Sequence, residues 1–285
     1  MIDDRMDRER QLWRALEAVH AVVYFAPEAK AAYAGLGLRG FWMGYFASRA
    51  AALGAVGPRL VTAVFFGFAP RMVQRALPRA WELAEPHRVA AARAEVARTV
   101  LARHVTGADR LGTVTASLAA ATAGLEFAGR PLAAAHAELA ADTDPVGSLW
   151  RSATVLREYR GDGHNAALVA AGVNGVQANV WTAATGRLVP EQREFRGWTE
   201  REWAEAAVAL GRRGWLDADG ALTGRGREER AELERCTDRA ASPAFAGIDD
   251  AALREMLAVL APVASAIADA GAVPYPNAMG VPQPR

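Results

Sequence analysis

The chain has 285 residues, 52% of them hydrophobic and 23% charged, enough apolar material for one large domain or two. Its 33 basic and 32 acidic residues are interspersed, leaving a net charge of +1 and no electrostatic surplus for nucleic acid or anionic lipid. The single cysteine, Cys236, excludes an intramolecular disulfide and a thiolate metal cluster.

The abundance of alanine, with Lys30 as the only lysine, fits the codon bias of a high-GC bacterial genome. The start, Met1-Ile2-Asp3-Asp4, is charged and lacks the basic-then-apolar pattern of a signal peptide. The longest uncharged stretches, about 111–125 and 256–267, fall short of the ~18 residues of a membrane span. These features predict a soluble, cytoplasmic protein with no membrane partner.

Residues 4–24 carry Leu12, Leu16, Val19 and Val23 at helical spacing, and Phe25-Ala26-Pro27 ends that helix. A second helix opens at Pro27 and stops near Gly35 and Gly37, and a third spans 39–53, with Trp42, Tyr45, Phe46 and Arg49 within about one face. Residues 59–66 read as a buried helix, with a strand as the alternative. Phe68-Ala69-Pro70 then repeats the earlier Phe-Ala-Pro, a weak sign of internal duplication. A long helix is expected over 79–104, kinked near Pro86, then helices at 108–128 and 131–141. Asp142-Thr143-Asp144-Pro145 collects turn formers and is the best boundary. Helices at about 146–160, 164–172 and 175–185 follow, separated by Gly161-Asp162-Gly163 and Gly172-Val173-Asn174-Gly175, then a polar loop over 186–198. A last helix spans 249–270, and the tail with Pro274, Pro276, Pro282 and Pro284 should be extended and mobile.

The most informative run is 196–234. Thr199 stands three residues before Glu202, the capping-box spacing, and Trp198 and Trp203 take the hydrophobic-staple positions. Gly214 stops that helix. Trp215-Leu216 and Ala221-Leu222 flank Asp217-Ala218-Asp219-Gly220, a tight hairpin signal, and Thr223 caps a helix running to about 240.

Gly214, Trp215, Leu216, Leu222, Thr223 and Gly226 match in order the wing and following helix of MarR-type regulators. Residues 155–240 are also similar to a family of helix-turn-helix-like proteins of high-GC bacteria, with an Arg-Gly-Asp-Gly-His segment like Arg160 to His164. The resemblance implies a mainly α fold: a winged helix-turn-helix with additional helices. Two pseudo-repeated winged-helix units are the alternative. The expected division is 1–145, an N-terminal helical domain; 146–240, the winged-helix domain; and 241–285, a C-terminal helix with a Pro-rich tail.

Two departures from MarR proteins bear on DNA. The loop 217–220 is short and carries two acids where MarR wings hold arginine. The recognition helix, 199–214, balances Arg201, Arg212 and Arg213 against Glu200, Glu202 and Glu205. Over 187–239 there are 11 arginines and 12 acids. Phosphate contacts dominate DNA affinity, so a DNA partner is disfavoured, although Arg212, Arg213, Arg225 and Arg227 can still form a local patch.

Tyr159, Asp162 and His164 are the candidate catalytic residues. A histidine at a helix N-terminus stays neutral and can act as a base. The plainer alternative is a turn in which Asp162 caps the helix and His164 sits on the surface. Candidate ligand-binding residues are Trp42, Tyr45, Arg49, Phe65 and Phe68, an aromatic wall beside one arginine, with Gln177 and Trp181, i,i+4 neighbours after Gly175. Ordinary helix packing explains the same residues, Arg49 least comfortably. His20, His87, His104 and His136 lack metal-ligand spacing, so neither metal nor cofactor is expected. Cys236 reads as structural. Three functions follow in order: a binder of a small apolar or aromatic metabolite between the two halves, a MarR-like DNA-binding regulator, and an enzyme of specialised metabolism using His164 as acid or base. The oligomeric expectation is a pseudo-dimeric monomer or a homodimer.

Overall fold

The computed structural model describes residues 2–105 and 108–284, with side chains omitted at 2–4, 108 and 109; Met1, Thr106, Gly107 and Arg285 lie outside it. The described residues form α1 (Ile2–Phe25), α2 (Pro27–Gly35), α3 (Gly40–Ala50), α4 (Pro58–Phe65), α5 (Pro70–Ala76), α6 (Arg79–Leu83), α7 (Pro86–Leu101), α8 (Ala108–Ala123) and α9 (Pro131–Glu138). Then come α10 (Pro145–Ala170), α11 (Gly175–Ala183), α12 (Gln192–Phe195), α13 (Glu200–Arg212), α14 (Gly224–Ala241) and α15 (Asp250–Asp269). Among the described residues the β-structure is one antiparallel bridge, Leu216 with Leu222. Pro27, Pro58, Pro70, Pro86, Pro131 and Pro145 each open a helix, where the missing N–H costs nothing and the fixed φ helps.

α10 runs through the centre, packed by α1, α7, α8, α9 and α14, while α15 lies along α1. One core joins these helices, from Leu12 and Leu16 through Phe46, Leu101 and Leu149 to Leu260 and Ile267. A second core holds Leu168, Trp181, Leu210, Trp215 and Leu233, where α11, α13 and the start of α14 meet the end of α10. There Trp181 stacks on Trp215 with centroids 4.2 Å apart. The Thr199/Glu202 capping box opens α13, and Thr223 caps α14 by accepting the Gly226 amide. Asn174 and Gln177 form another capping box at α11.

Several expectations are corrected. Residues 79–104 form two helices, because Pro86 pushes its predecessor out of helical space and Ala84 is extended at φ −147°, ψ 135°. The chain also makes α5, and the loop 186–198 contains α12. Residues 58–65 are helical, as expected, and the strand alternative falls away. The Gly161-Asp162-Gly163 segment is no break between helices, since α10 runs unbroken across it. Gly163 serves packing instead: a Cβ there would stand 3.0 Å from the Arg130 guanidinium and 3.1 Å from Ala240.

The tail is not a free extended strand. Val273, Asn277 and Val281 are buried. Asn277 Nδ2 donates to the Pro274 and Val281 carbonyls at 2.9 and 3.2 Å, and its Oδ1 accepts the Met279 and Val281 amides at 3.0 and 3.1 Å. Prolines supply no N–H, so one asparagine folds the segment on itself. By length and composition α15 is apolar enough to cross a membrane. Here Leu253, Met256, Leu260, Val263 and Ile267 are buried at core-helix spacing.

Candidate functional site

A seam holds the second core against the N-terminal helices. The turn between α4 and α5 offers the Gly67 carbonyl, which accepts Asn179 Nδ2 at 2.8 Å and Trp198 Nε1 at 3.0 Å. Phe66 sits there at φ +54°, a left-handed conformation costly for an aromatic residue and held by these contacts. Asn165 Nδ2 donates to the Val64 carbonyl at 2.9 Å, and the Ala69 amide to the Arg196 carbonyl at 2.9 Å. The last bond sets Phe195 and Arg196, at the end of α12, beside Phe68.

A cleft of about 260 Å³ opens at this seam. Tyr24 and Phe25 end α1 on one side, and Phe41, Trp42 and Tyr45 come from the start of α3. Phe68, Phe195 and Arg196 complete the wall, and the tail covers it with Pro274, Pro276 and Met279. Trp42 meets Tyr45 and Phe68 edge-on at 5.8 and 5.9 Å, and Tyr45 lies 5.5 Å from Phe68. Phe41 and Phe195 remain 53% and 41% exposed, more than large rings normally are, and they stand at the mouth. A neighbouring cleft of about 180 Å³ shares Tyr24, Phe25, Phe41 and Tyr45.

A buried polar layer backs the aromatic wall. Arg49 grips Glu158 with Nε at 3.2 Å and Nη2 at 3.1 Å, Arg157 adds Nη1 at 2.8 Å, and Arg157 Nε lies 3.4 Å from Glu17. Burial alone would raise the Glu158 carboxyl, but Arg157 and Arg49 overcome it and hold the group well below the usual carboxylate range. Nearby, His20 joins Thr154 and the Tyr24 hydroxyl, each at 3.0 Å, and Arg93 donates to that hydroxyl at 2.7 Å. Burial raises Tyr24 to about 12 and keeps His20 well below its ordinary value. His136 is lowered to about 3 for the same reason.

The sequence-derived candidates scatter. Trp42, Tyr45 and Phe68 line the cleft. Phe65 stands behind, 4.2 Å under the Arg49 guanidinium, and both belong to the buried layer. Gln177 is spent on the α11 cap and Trp181 on the second core. Tyr159 is buried under Arg130, 3.6 Å from its guanidinium. Asp162 Oδ2 accepts the Leu132 and Ala133 amides at 3.0 Å each, so it caps α9 across the fold, and burial raises it to about 6. His164 is mid-helix, not at an N-terminus; its Nδ1 lies 2.9 Å from Thr237 Oγ1, and burial lowers it to about 4. None of these three lines the cleft. Cys236 shares a hydrogen bond with Glu232 that pushes its thiol up, against a nucleophilic role.

Sequence reasoning misses Tyr24, Phe25, Phe41, Val189, Phe195, Arg196 and the tail residues Pro274, Pro276, Asn277, Ala278 and Met279 as site residues. One signal points to two of the walls: Phe25 and Phe68 are the first residues of the two Phe-Ala-Pro triplets, and both line the cleft.

The outer face of α13 exposes Glu200, Arg201, Glu205, Val208 and Arg212. Arg201 lies 3.5 Å from Glu205. Arg213 folds over Trp215 at 3.6 Å and donates to the Ala171 carbonyl at 2.9 Å. Arg225 lies 3.7 Å from Glu229, and Arg227 donates to the Leu222 carbonyl at 2.6 Å. The exposed loop between the bridge residues carries Asp217 and Asp219. Three of the four arginines that would form a basic patch are therefore engaged within the fold.

A family model described as a helix-turn-helix family matches residues 9–274, so the chain belongs to that family. No curated protein and no solved structure matches the chain. Family membership states the architecture; the use made of it rests on the site.

Proposed function

We propose that this helix-turn-helix family member binds a small apolar or aromatic metabolite in the cleft between α1, α3, α12 and the tail, as a cytoplasmic protein on a winged-helix scaffold. The carrying observation is the set of seven aromatic side chains, Tyr24, Phe25, Phe41, Trp42, Tyr45, Phe68 and Phe195, around a cavity of about 260 Å³. The ribbon at Leu216 and Leu222 is the wing in this reading, and α13 is the former recognition helix, its outward charge cancelled.

A ring the size of a Phe side chain buries about 150 Å², which at ~25 cal/mol/Å² is about 4 kcal/mol. The apolar walls alone therefore support roughly millimolar binding, and anything tighter needs a polar anchor.

Thermal shift with a panel of one- and two-ring compounds tests the reading. A hit should raise Tm by a few degrees at saturating concentration, and Trp42→Ala should abolish the rise while leaving the fold intact by circular dichroism. A panel that leaves Tm unmoved counts against the reading.

The family match favours a second reading, a DNA-binding regulator. It requires duplex binding that is tighter than tens of micromolar at low salt and weakens steeply as salt rises.

A further inference from the structure

We propose that the ligand of this cleft is an anion, an aryl carboxylate or similarly planar aromatic acid, whose charge seats on Arg196. The proposal rests on the small-molecule reading above and adds its charge class.

Arg196 lines the cleft, with its guanidinium 4.4 Å above the Phe68 ring. One of its nitrogens, Nη2, donates to the Ala278 carbonyl at 2.7 Å, which ties α12 to the tail. Its Nε is shut off from solvent and meets no hydrogen-bond acceptor. Among the described residues no carboxylate pairs with it. Arg196 is half-buried, and a charge withdrawn from water is normally paired, because it loses hydration without return.

The surroundings compound the imbalance. Arg49 and Arg157 bear on Arg196 as further positive charges, and the Tyr45 phenol is its hydrogen-bonding neighbour. Of the nearby carboxylates, Glu158 is already shared between Arg49 and Arg157, and Glu17 serves Arg157. Arg93 stands behind Tyr24 with a phenol and a backbone carbonyl for partners. Arg196 is thus the one charged residue among the described lining residues, the walls are aromatic, and the volume of about 260 Å³ suits a molecule of one or two rings. A guanidinium fork matches a carboxylate in two parallel hydrogen bonds, and a neutral isostere leaves it unpaired.

Titration calorimetry at pH 7 of the full chain with benzoate against benzamide, and 1-naphthoate against 1-naphthamide, provides the test. The acids should bind at least about tenfold tighter than the amides, the scale of one hydrogen bond to a charged group. Arg196→Gln should erase that preference, and Arg196→Lys should keep some of it. Because Arg196 also anchors the tail, the acid-to-amide ratio in the unaltered protein is a readout that needs no variant. Equal binding of acid and amide overturns the anion proposal and leaves the cleft reading standing. Preference for the acid that survives in Arg196→Gln overturns the assignment to Arg196. If none of the four compounds binds, the anion proposal is overturned and the cleft reading also loses support.

Discussion

Glu158→Gln is the sharpest probe of the buried layer behind the cleft. Glu158 is 0% exposed, and its two oxygens accept three guanidinium N–H groups, two from Arg49 and one from Arg157. Glutamine keeps the shape, but it offers one acceptor and turns an amide donor toward an arginine. It also removes the only carboxylate that Arg49 has among the described residues, and leaves Arg157 with Glu17 at 3.4 Å. Removing one partner of a buried pair costs about 3–5 kcal/mol, mostly because the other charge is stranded. With Arg49 stranded and Arg157 left with its longer pair to Glu17, the expected loss lies in the middle of that range, about 4 kcal/mol against a typical total of roughly 5–15. Urea unfolding followed by tryptophan fluorescence should show the midpoint fall with the slope unchanged. As a control, Glu205→Gln, which disrupts the exposed Arg201–Glu205 pair, should leave the midpoint where it is. A Glu158→Gln loss below about 1 kcal/mol would refute the reasoning, because the interior would then not need this counter-charge.

Stability should fall on the acid side of neutrality. His20 and His136 are held neutral by burial, His136 down to about 3, whereas the unfolded chain protonates them below about 6.5. Between those values the unfolded state binds more protons, so each contributes a loss of up to about 1.4 kcal/mol per pH unit as pH falls. Glu158, depressed in the fold, keeps its contribution above its unfolded value of 4.5 and loses it only in stronger acid. Unfolding free energies at pH 7, 6 and 5 should slope accordingly, and His136→Asn should flatten the slope; a flat wild-type profile would contradict the burial argument. Gly226→Ala should destabilise by about 3 kcal/mol or more, since the new Cβ would lie 2.0 Å from the Trp215 carbonyl oxygen at the start of α14. Denaturation of that variant measures it, and near-native stability would mean that the bridge region yields more easily than its packing suggests.

Local structure is largely legible in the sequence because its causes are local. The Thr199/Glu202 and Thr223 caps, the proline-opened helices and the turn at Asp217 to Gly220 all depend on residues a few positions apart. The pattern from Gly214 to Gly226 also carries a tertiary fact, since Gly226 is where helix backbone touches the Trp215 carbonyl. Gly161 and Gly163 mislead for the same reason. They resemble turn formers, but Gly163 is small to let Arg130 and Ala240 approach α10. Asp162 is indeed a helix cap, though of α9, some thirty residues away in the chain.

The amino-acid order alone established a mostly helical chain, many of its helix starts, and the helix–turn–helix pattern of residues 199 to 241. It also established the absence of a charge surplus, which follows from counting. Tertiary structure decided which aromatic residues face a cavity and which fill a core. Trp42 and Trp181 look alike in sequence, yet one lines the cleft and the other stacks on Trp215. Structure alone also set Phe195, Arg196 and the tail beside α3, through bonds such as Ala69 to Arg196 and Arg196 to Ala278. The physical reason is range. Capping and backbone preference act within a turn of chain, whereas a pocket and the pairing of its charges exist only once segments distant in sequence share one volume and exclude water.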